Sequence, residues 1–428
     1  MGSLPSLLQR YRSALEALEL NLALPFSSRL AAAELRLSSW LASANASPRT
    51  TPLPDLRFNG TLCTTPIAKL GALHAFFSAL YTPSPLPLTF EADCAMLFHH
   101  LLSSLPPEVA SRLAVPFTAD EVSASLRFAN RRASAGPDGL PYRVWLELLP
   151  VTGPLLADLA NDLGAGAPLE VQARSVILPK SGDLSDLGCY RPISISNSFV
   201  RTLARMLSAR LLSAAEYLLP WNQAAFLPGR RTTLVSGILQ GLTDLSAVSS
   251  SASPAAFIVV SLDQRKAYDR VRHEWLFACL RRLGLPALLL RLLGALYGSA
   301  STRFSTADGL TALVRFLSGV LQGDPSSCII YNLTLQPFLD LLRAWGVGIP
   351  VPGLGFLTSL AFADDVLTFL SASAHGLHQW QMLLTALTLY QRTSNAEVNV
   401  AKSSFWLVGT PSPADMPATL ELVAALSA

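Results

Sequence analysis

Short apolar runs bounded by turn residues, followed by apolar positions at helical spacing, predict a chain that mixes strands and helices. Residues 257–260 form an apolar run with the length and β-branched content of a strand buried on both faces. Beyond it, apolar residues recur at helical spacing from Trp275 to Leu283, and Asp269 is the expected cap of that helix. Asp263 therefore falls at the carboxyl end of a buried strand. Because desolvating an unpaired carboxylate is costly, we expect a cation beside it.

A second acidic site interrupts an apolar stretch in "LAFADDVLTF". Residues 358–363 and 366–370 are predicted strands, joined tightly at Asp364 and Asp365. Tight turns favour Asn-Gly or Asp-Gly, which reach positive φ, so Asp-Asp is a poor turn on its own. Either the pair is an exposed acidic turn, or it joins Asp263 to hold two Mg²⁺ ions about 3.5–4 Å apart for in-line phosphoryl transfer.

Two segments that precede the buried strand are basic. "RSVILPKSGDLSDLGCYRPISI" predicts a strand ending at Lys180, a polar loop and a strand opening at Arg191, so a hairpin carries two cations near its tip. Residues 198–219 have helical apolar spacing. The polar side of that helix is expected to face solvent or nucleic acid and carries Arg201, Arg205 and Arg210.

The segment "SGVLQGDPSSCIIYNLTLQPFLDLL" predicts a glycine-containing loop followed by a helix. Pro325 suits the first helical position, Pro337 is an expected kink, and apolar residues within 329–342 form a core face. Gln322, next to Gly323, is either an ordinary loop side chain or a contact to a template or nucleotide.

The sequence contains no apolar stretch long enough to be a membrane span, although half of its 428 residues are hydrophobic. Its first residues predict an amphipathic helix rather than a secretory signal, so we expect an intracellular protein, in the nucleus or the cytoplasm. The first 115 residues suggest helices joined by proline-containing loops, and a capping box at Thr118 and Glu121 opens the main module. Residues 245–256 predict a flexible surface loop.

Charge and cysteine content narrow the protein class only slightly. Net charge is +3, but residues 121–290 hold 18 basic against 13 acidic residues, a weak indication of a basic face. Only four of the 32 basic residues are lysines, which reflects either chance or a need for a point charge at those positions. Five scattered cysteines without a C-x-x-C pair argue against a zinc ribbon and a disulfide framework.

The order of the motifs carries more information than any one of them. "GPDG", "LPK" with "YRPISI", "FLPGRR", "LDQRKAYDRV", "LQGDPSS", "AFADD" and "SNAEVNVAKSSF" follow one another between residues 116 and 406. "FADD" alone is a weak signal, but the ordered set is specific. It resembles the reverse transcriptase domain of non-LTR (LINE-type) retrotransposons.

This resemblance implies an α+β, right-hand polymerase. Fingers would occupy residues 116–256, and a palm of antiparallel strands backed by helices would occupy 257–410. A mainly helical segment, 1–115, would precede them. Residues 411–428 would be a truncated tail, with the thumb largely missing.

The resemblance also implies roles for single residues. Asp263 and Asp364 would bind two Mg²⁺ ions, with Mn²⁺ as the alternative, and Asp365 would assist. Tyr268 would lie under the nucleotide sugar and reject a 2′-hydroxyl; without the motif it would be read as a core aromatic. The remaining matches are Lys180 and Arg191 for the triphosphate, Gln322 and Gly323 for the template, and Lys402 for the leaving pyrophosphate.

The expected function is RNA-directed DNA polymerisation with an RNA template, a DNA primer and dNTPs, without a membrane. The alternatives are an inactive, truncated relic that at most binds nucleic acid, and an RNA-dependent RNA polymerase, which a bulky Tyr268 disfavours. Two motifs depart from the family: Asp324 to Ser327 replace Cys-Pro-Leu-Ser, and "SNAEVN" replaces a Gly-Leu-x-x-Asn pattern.

Overall fold

A computed structural model describes residues 52–247 and 256–427 of the chain. The amphipathic helix expected at the start, and all but the ends of the loop expected over 245–256, lie outside these residues. The strands are β1 Leu56–Phe58, β2 Thr61–Cys63, β3 Gln172–Pro179, β4 Tyr190–Ser196, β5 Phe257–Leu262, β6 Ser301–Thr306, β7 Gly309–Leu310, β8 Val314–Arg315, β9 Ile349–Val351, β10 Gly355–Leu357, β11 Ser359–Phe362, β12 Asp365–Ser371 and β13 Ser404–Val408.

Helices connect these strands. They are α1 Pro66–Leu80, α2 Phe90–His99, α3 Pro107–Leu113, α4 Ala119–Arg127, α5 Tyr142–Glu147, α6 Leu149–Ala165, α7 Ser198–Ser213, α8 Ala215–Leu218, α9 Thr232–Ala247, α10 Ala267–Arg270, α11 His273–Arg282, α12 Ala287–Gly298, α13 Ser327–Ala344, α14 Ala374–Ser394 and α15 Met416–Ser427. The capping box predicted for α4 is confirmed, because Thr118 and Glu121 cap each other's backbone amides.

Two compact units are formed, each from segments far apart in the sequence. Their described residues are 52–76, 115–207 and 291–315 in unit 1, and 77–114, 208–247, 256–290 and 316–427 in unit 2. The boundaries expected at 115, 256 and 410 stay predictions.

Unit 1 is organised around a mixed sheet in the order β4-β3-β6-β7, with β8 pairing to β6. The predicted hairpin is present as the antiparallel pair of β3 and β4, while β3 and β6 run parallel. In the buried interior of this sheet, the Ser175 hydroxyl lies 2.8 Å from those of Ser194 and Thr302, which tie the three strands together. The "GPDG" motif forms a turn closed by the Gly139 amide and the Gly136 carbonyl at 3.0 Å.

The prediction that three arginines of α7 face solvent or nucleic acid was wrong. Arg201 and Arg210 are buried and Arg205 is half-buried. Each donates to a backbone carbonyl: Arg201 to Ser134 at 2.6 Å, Arg205 to Ser125 at 3.0 Å and Arg210 to Leu113 at 2.9 Å. A guanidinium can be buried where its donors are satisfied and its alkyl stem covers apolar surface.

Unit 2 contains an antiparallel sheet in the order β11-β12-β5-β13. The predicted burial of β5 on both faces is confirmed, because Phe257 to Val260 are all at most 4% exposed. Phe257 and Val259 belong to a core cluster with side chains from α9, β9, β10, β11, β12 and β13. Helices α2, α11, α13 and α14 pack against one another, and α14 also packs on β12. The mixed α+β fold with antiparallel sheets is therefore confirmed.

Helix α13 is more buried than its apolar spacing predicted, and it begins later. Its first residue is Ser327, after an N-cap at Ser326, so the expectation that Pro325 opens the helix was wrong. Every residue from Ser327 to Leu342 is buried except Cys328. Several of its buried polar side chains are hydrogen-bonded, which offsets the cost of burying them: the Gln223 amide, for example, donates to Gln336 at 2.6 Å.

No helix among residues 52–247 and 256–427 is long and apolar enough to cross a bilayer. All five cysteines lie in these ranges and carry free thiols, two of them buried and three partly exposed.

Candidate active site

The acidic hairpin in unit 2 is formed by β11 and β12, as predicted, but its turn lies one residue earlier. Phe362 pairs with Asp365, so the two turn residues are Ala363 and Asp364, and Asp365 opens β12. The interpretation of Asp364-Asp365 as the junction was wrong in this detail. The positive φ that a tight turn requires is taken by Ala363, at 58°.

The sheet register brings two of the predicted carboxylates to neighbouring strand ends. Val366 of β12 pairs with Leu262 of β5, so Asp365 and Asp263 occupy the next positions on the two strands. Burial and the negative charge of Asp263 raise the pKa of Asp365. The two carboxylates are therefore close enough to repel each other.

Asp364, on the hairpin turn, is half-buried, and its charge contributes to raising the pKa of both Tyr268 and Tyr331, after burial as the main cause. Within the part of the chain that the structure describes, no three His, Cys, Asp or Glu side chains form a metal-binding group by themselves. The carboxylates nevertheless suit Mg²⁺, which usually takes one or two carboxylates together with substrate phosphates. A cation is also what would relieve the repulsion between Asp263 and Asp365.

Tyr268 lies in α10, five residues after Asp263. Its ring is stacked on that of Tyr331 from α13, with ring centres 4.5 Å apart and planes inclined by 16°. The residue is half-buried, and its hydroxyl is buried. The contact with α13 orients the ring, and no local pattern around Tyr268 indicates this contact.

The Gln322 loop is attached to the segment that carries Tyr268. Gln322 donates to the Asp269 carboxylate at 2.8 Å, and the amide of Val320 donates to the Tyr268 carbonyl at 2.7 Å. Asp269 is thus not the cap of α11, whose N-cap is Arg272, and that prediction was wrong. Sequence analysis missed the true role of Asp269 because its partner is 53 residues away.

Lys402 is exposed in a turn that contacts the end of β5. The Asp263 carbonyl accepts from the Asn399 amide at 2.8 Å, and the Asp263 amide donates to the Ser403 hydroxyl at 3.1 Å. The structure therefore brings the turn of Lys402 to the strand end that bears Asp263. Gly323, at φ 108°, is exposed beside Gln322.

Lys180 and Arg191 lie in unit 1, where both are exposed. Leu178 pairs with Arg191, and the Lys180 amide donates to the Cys189 carbonyl at 2.7 Å. Because residues two apart on a strand and residues directly opposite share a face, both cations lie on one face of the hairpin.

Comparison with known proteins identifies the family. Residues 178–419 match the reverse transcriptase (RNA-dependent DNA polymerase) family. The chain belongs to this family. The matched range contains all nine residues predicted to form the site.

Relatives of the chain include retrotransposon proteins. An uncharacterized 149 kDa protein of transposon TX1 from Xenopus laevis is 29% identical over 82% of this chain and 26% of its own length. The Pol polyprotein of the R2 element is 28% identical in Nasonia vitripennis, over 65% of this chain and 26% of the relative. The R2 protein of Popillia japonica is 34% identical over 45% of this chain and 27% of its own length. The chain spans about a quarter of the length of these non-LTR retrotransposon relatives.

Proposed function

We propose that this chain is an RNA-directed DNA polymerase domain that adds dNTPs to a primer 3′-hydroxyl with the help of two divalent ions. The observation that carries the proposal is the placement of Asp263 and Asp365 at neighbouring ends of β5 and β12, with Asp364 on the adjoining turn. In this assignment the sheet of unit 2 is the palm, and the β3–β4 hairpin of unit 1 belongs to the fingers.

The chain's own contribution is to hold charge in place before the reaction. Asp263, Asp364 and Asp365 would hold the ions, Mg²⁺ or Mn²⁺, which when bound acidify the primer hydroxyl and neutralise the triphosphate. The rigid sheet positions these carboxylates, because β5 and β12 are paired along six residues. The exposed part of the Tyr268 ring would meet the nucleotide sugar.

The other predicted roles complete the proposal. Lys180 and Arg191 would bind the triphosphate, since a point charge and a bidentate fork suit phosphate oxygens. Gln322 and Gly323 would position the template. Lys402 would lie near the leaving pyrophosphate. An RNA template, a DNA primer and dNTPs are the proposed partners.

Primer extension on an RNA template with Mg²⁺ and dNTPs tests this function. We expect extension by the wild-type chain, and a loss of at least about a hundredfold in Asp263→Asn and Asp364→Asn, since ligand loss removes transition-state charge stabilisation. Asp244→Asn is the matched control, because this exposed carboxylate of α9 has no proposed catalytic role.

Two results would contradict the proposal. If the folded wild-type chain binds primer–template but does not extend it, the inactive relic is the better description. If it extends with NTPs in preference to dNTPs, the chain is an RNA polymerase.

A further inference from the structure

Helix α13 supports the Tyr268 ring near the amino-terminal end of the helix. We propose that Tyr331 is a positioning residue for sugar selection, which holds the Tyr268 ring in the orientation that excludes a 2′-hydroxyl. This inference rests on the proposed polymerase function. It assigns part of the choice between deoxyribonucleotides and ribonucleotides to a buried helix that does not itself touch the nucleotide.

The supporting contact is an aromatic stack. Tyr331 is completely buried, and its ring lies nearly parallel to that of Tyr268 at 4.5 Å. Stacked aromatic pairs contribute about 0.5–1.5 kcal/mol beyond the area they bury. A buried ring on a buried helix is a rigid support, so Tyr268 cannot tilt away without losing this contact.

The opposite end of the Tyr268 side chain is enclosed by protein. Its hydroxyl is buried and is therefore directed into the protein. The partly exposed surface left for a sugar is the ring.

The pair is also placed with respect to the catalytic hairpin. The charge of Asp364 acts on both phenols, so the two rings lie near this residue. The Val320 amide donates to the Tyr268 carbonyl at 2.7 Å, which holds the backbone beneath the ring. A sugar that approaches ions held by the carboxylates would meet a ring whose position is set by α13.

The test measures nucleotide selection by binding, separately from turnover. The wild-type chain is bound to an RNA template and a primer that lacks a 3′-hydroxyl, and the Kd values of dCTP and CTP are measured opposite guanine by calorimetry. Tyr331→Leu should reduce the preference for dCTP about threefold to tenfold, the range expected for one lost aromatic stack. Tyr331→Phe, which keeps the ring, should preserve the preference.

A further variant separates positioning from general stability. Tyr297→Leu is the matched control: Tyr297 is also buried but belongs to unit 1, so this variant should lower stability without changing the preference.

A folded Tyr331→Leu protein with unchanged preference, or a wild-type chain that binds dCTP and CTP equally or not at all, would overturn the inference. Primer extension by the same preparations reports separately on the proposed function. Extension with unchanged sugar preference in Tyr331→Leu would reject only the positioning role.

Discussion

Replacing Gly319 with alanine should damage unit 2 through two measurable effects. Gly319 has φ +88°, and a left-handed conformation costs a residue with a Cβ about 1–2 kcal/mol. The added Cβ would also lie 2.6 Å from the carbonyl oxygen of Asp269, well inside normal contact. Because the obstacle is backbone, relieving this overlap should cost about 1–3 kcal/mol more. The free energy of unfolding should therefore fall by about 2–5 kcal/mol in Gly319→Ala.

The same overlap should reach the candidate active site. Gly319 donates to the Val271 carbonyl at 2.8 Å, and the neighbouring Val320 donates to Tyr268. Moving this loop away from Asp269 would displace Gln322 and loosen the backbone beneath the Tyr268 ring. We therefore expect Gly319→Ala to raise the KM for dNTPs in primer extension even under conditions where the variant is folded.

Urea denaturation followed by tryptophan fluorescence measures the loss, since Trp275 is buried in the same unit. The matched control is Gly346→Ala: its φ is +74°, but a Cβ there would meet nothing within 4 Å. In Gly346→Ala the free energy of unfolding should fall only by the cost of the left-handed conformation, about 1–2 kcal/mol. Equal losses in the two variants would show that the contact with Asp269 is not tight, and would refute the reasoning.

Two further predictions follow from backbone strain and from burial. Ala363→Gly should stabilise the chain by up to about 1 kcal/mol, because glycine adopts the φ of 58° without strain. Part of this gain is lost because glycine increases the entropy of the unfolded chain. Thermal denaturation checks the prediction, and a lower Tm in the variant would contradict it. Burial lowers the pKa of His273, although the Gly319 carbonyl and Glu274 oppose this effect. The unfolded chain therefore takes up the proton first, and stability present above about pH 6.5 should be lost as the pH falls. His273→Gln should flatten the urea midpoint between pH 7 and pH 5, and an unchanged slope would assign the pH dependence to other groups.

Local patterns predicted the elements that depend on neighbouring residues. The strand over 257–260, the β3–β4 hairpin and the capping box at Thr118 all follow from short-range periodicity or side-chain chemistry, and each is present. The ordered motifs led to the reverse transcriptase family, which the match over residues 178–419 confirms.

The errors share a physical origin in contacts between distant segments. Helical spacing predicts Arg201 on a polar face. It cannot show that the guanidinium of Arg201 donates to the Ser134 carbonyl. Asp269 was assigned as a cap because sequence cannot show a hydrogen bond to Gln322. In both cases the polar group was recognised and its partner was not.

Side-chain identity and local spacing are enough to show which residue types are available for chemistry and which apolar runs must be buried. The placement of Asp263 beside Asp365, and the support of Tyr268 by Tyr331, depend instead on the folded structure. Both contacts join residues far apart in the sequence, so strand register and helix packing set them as the elements bury a shared apolar surface.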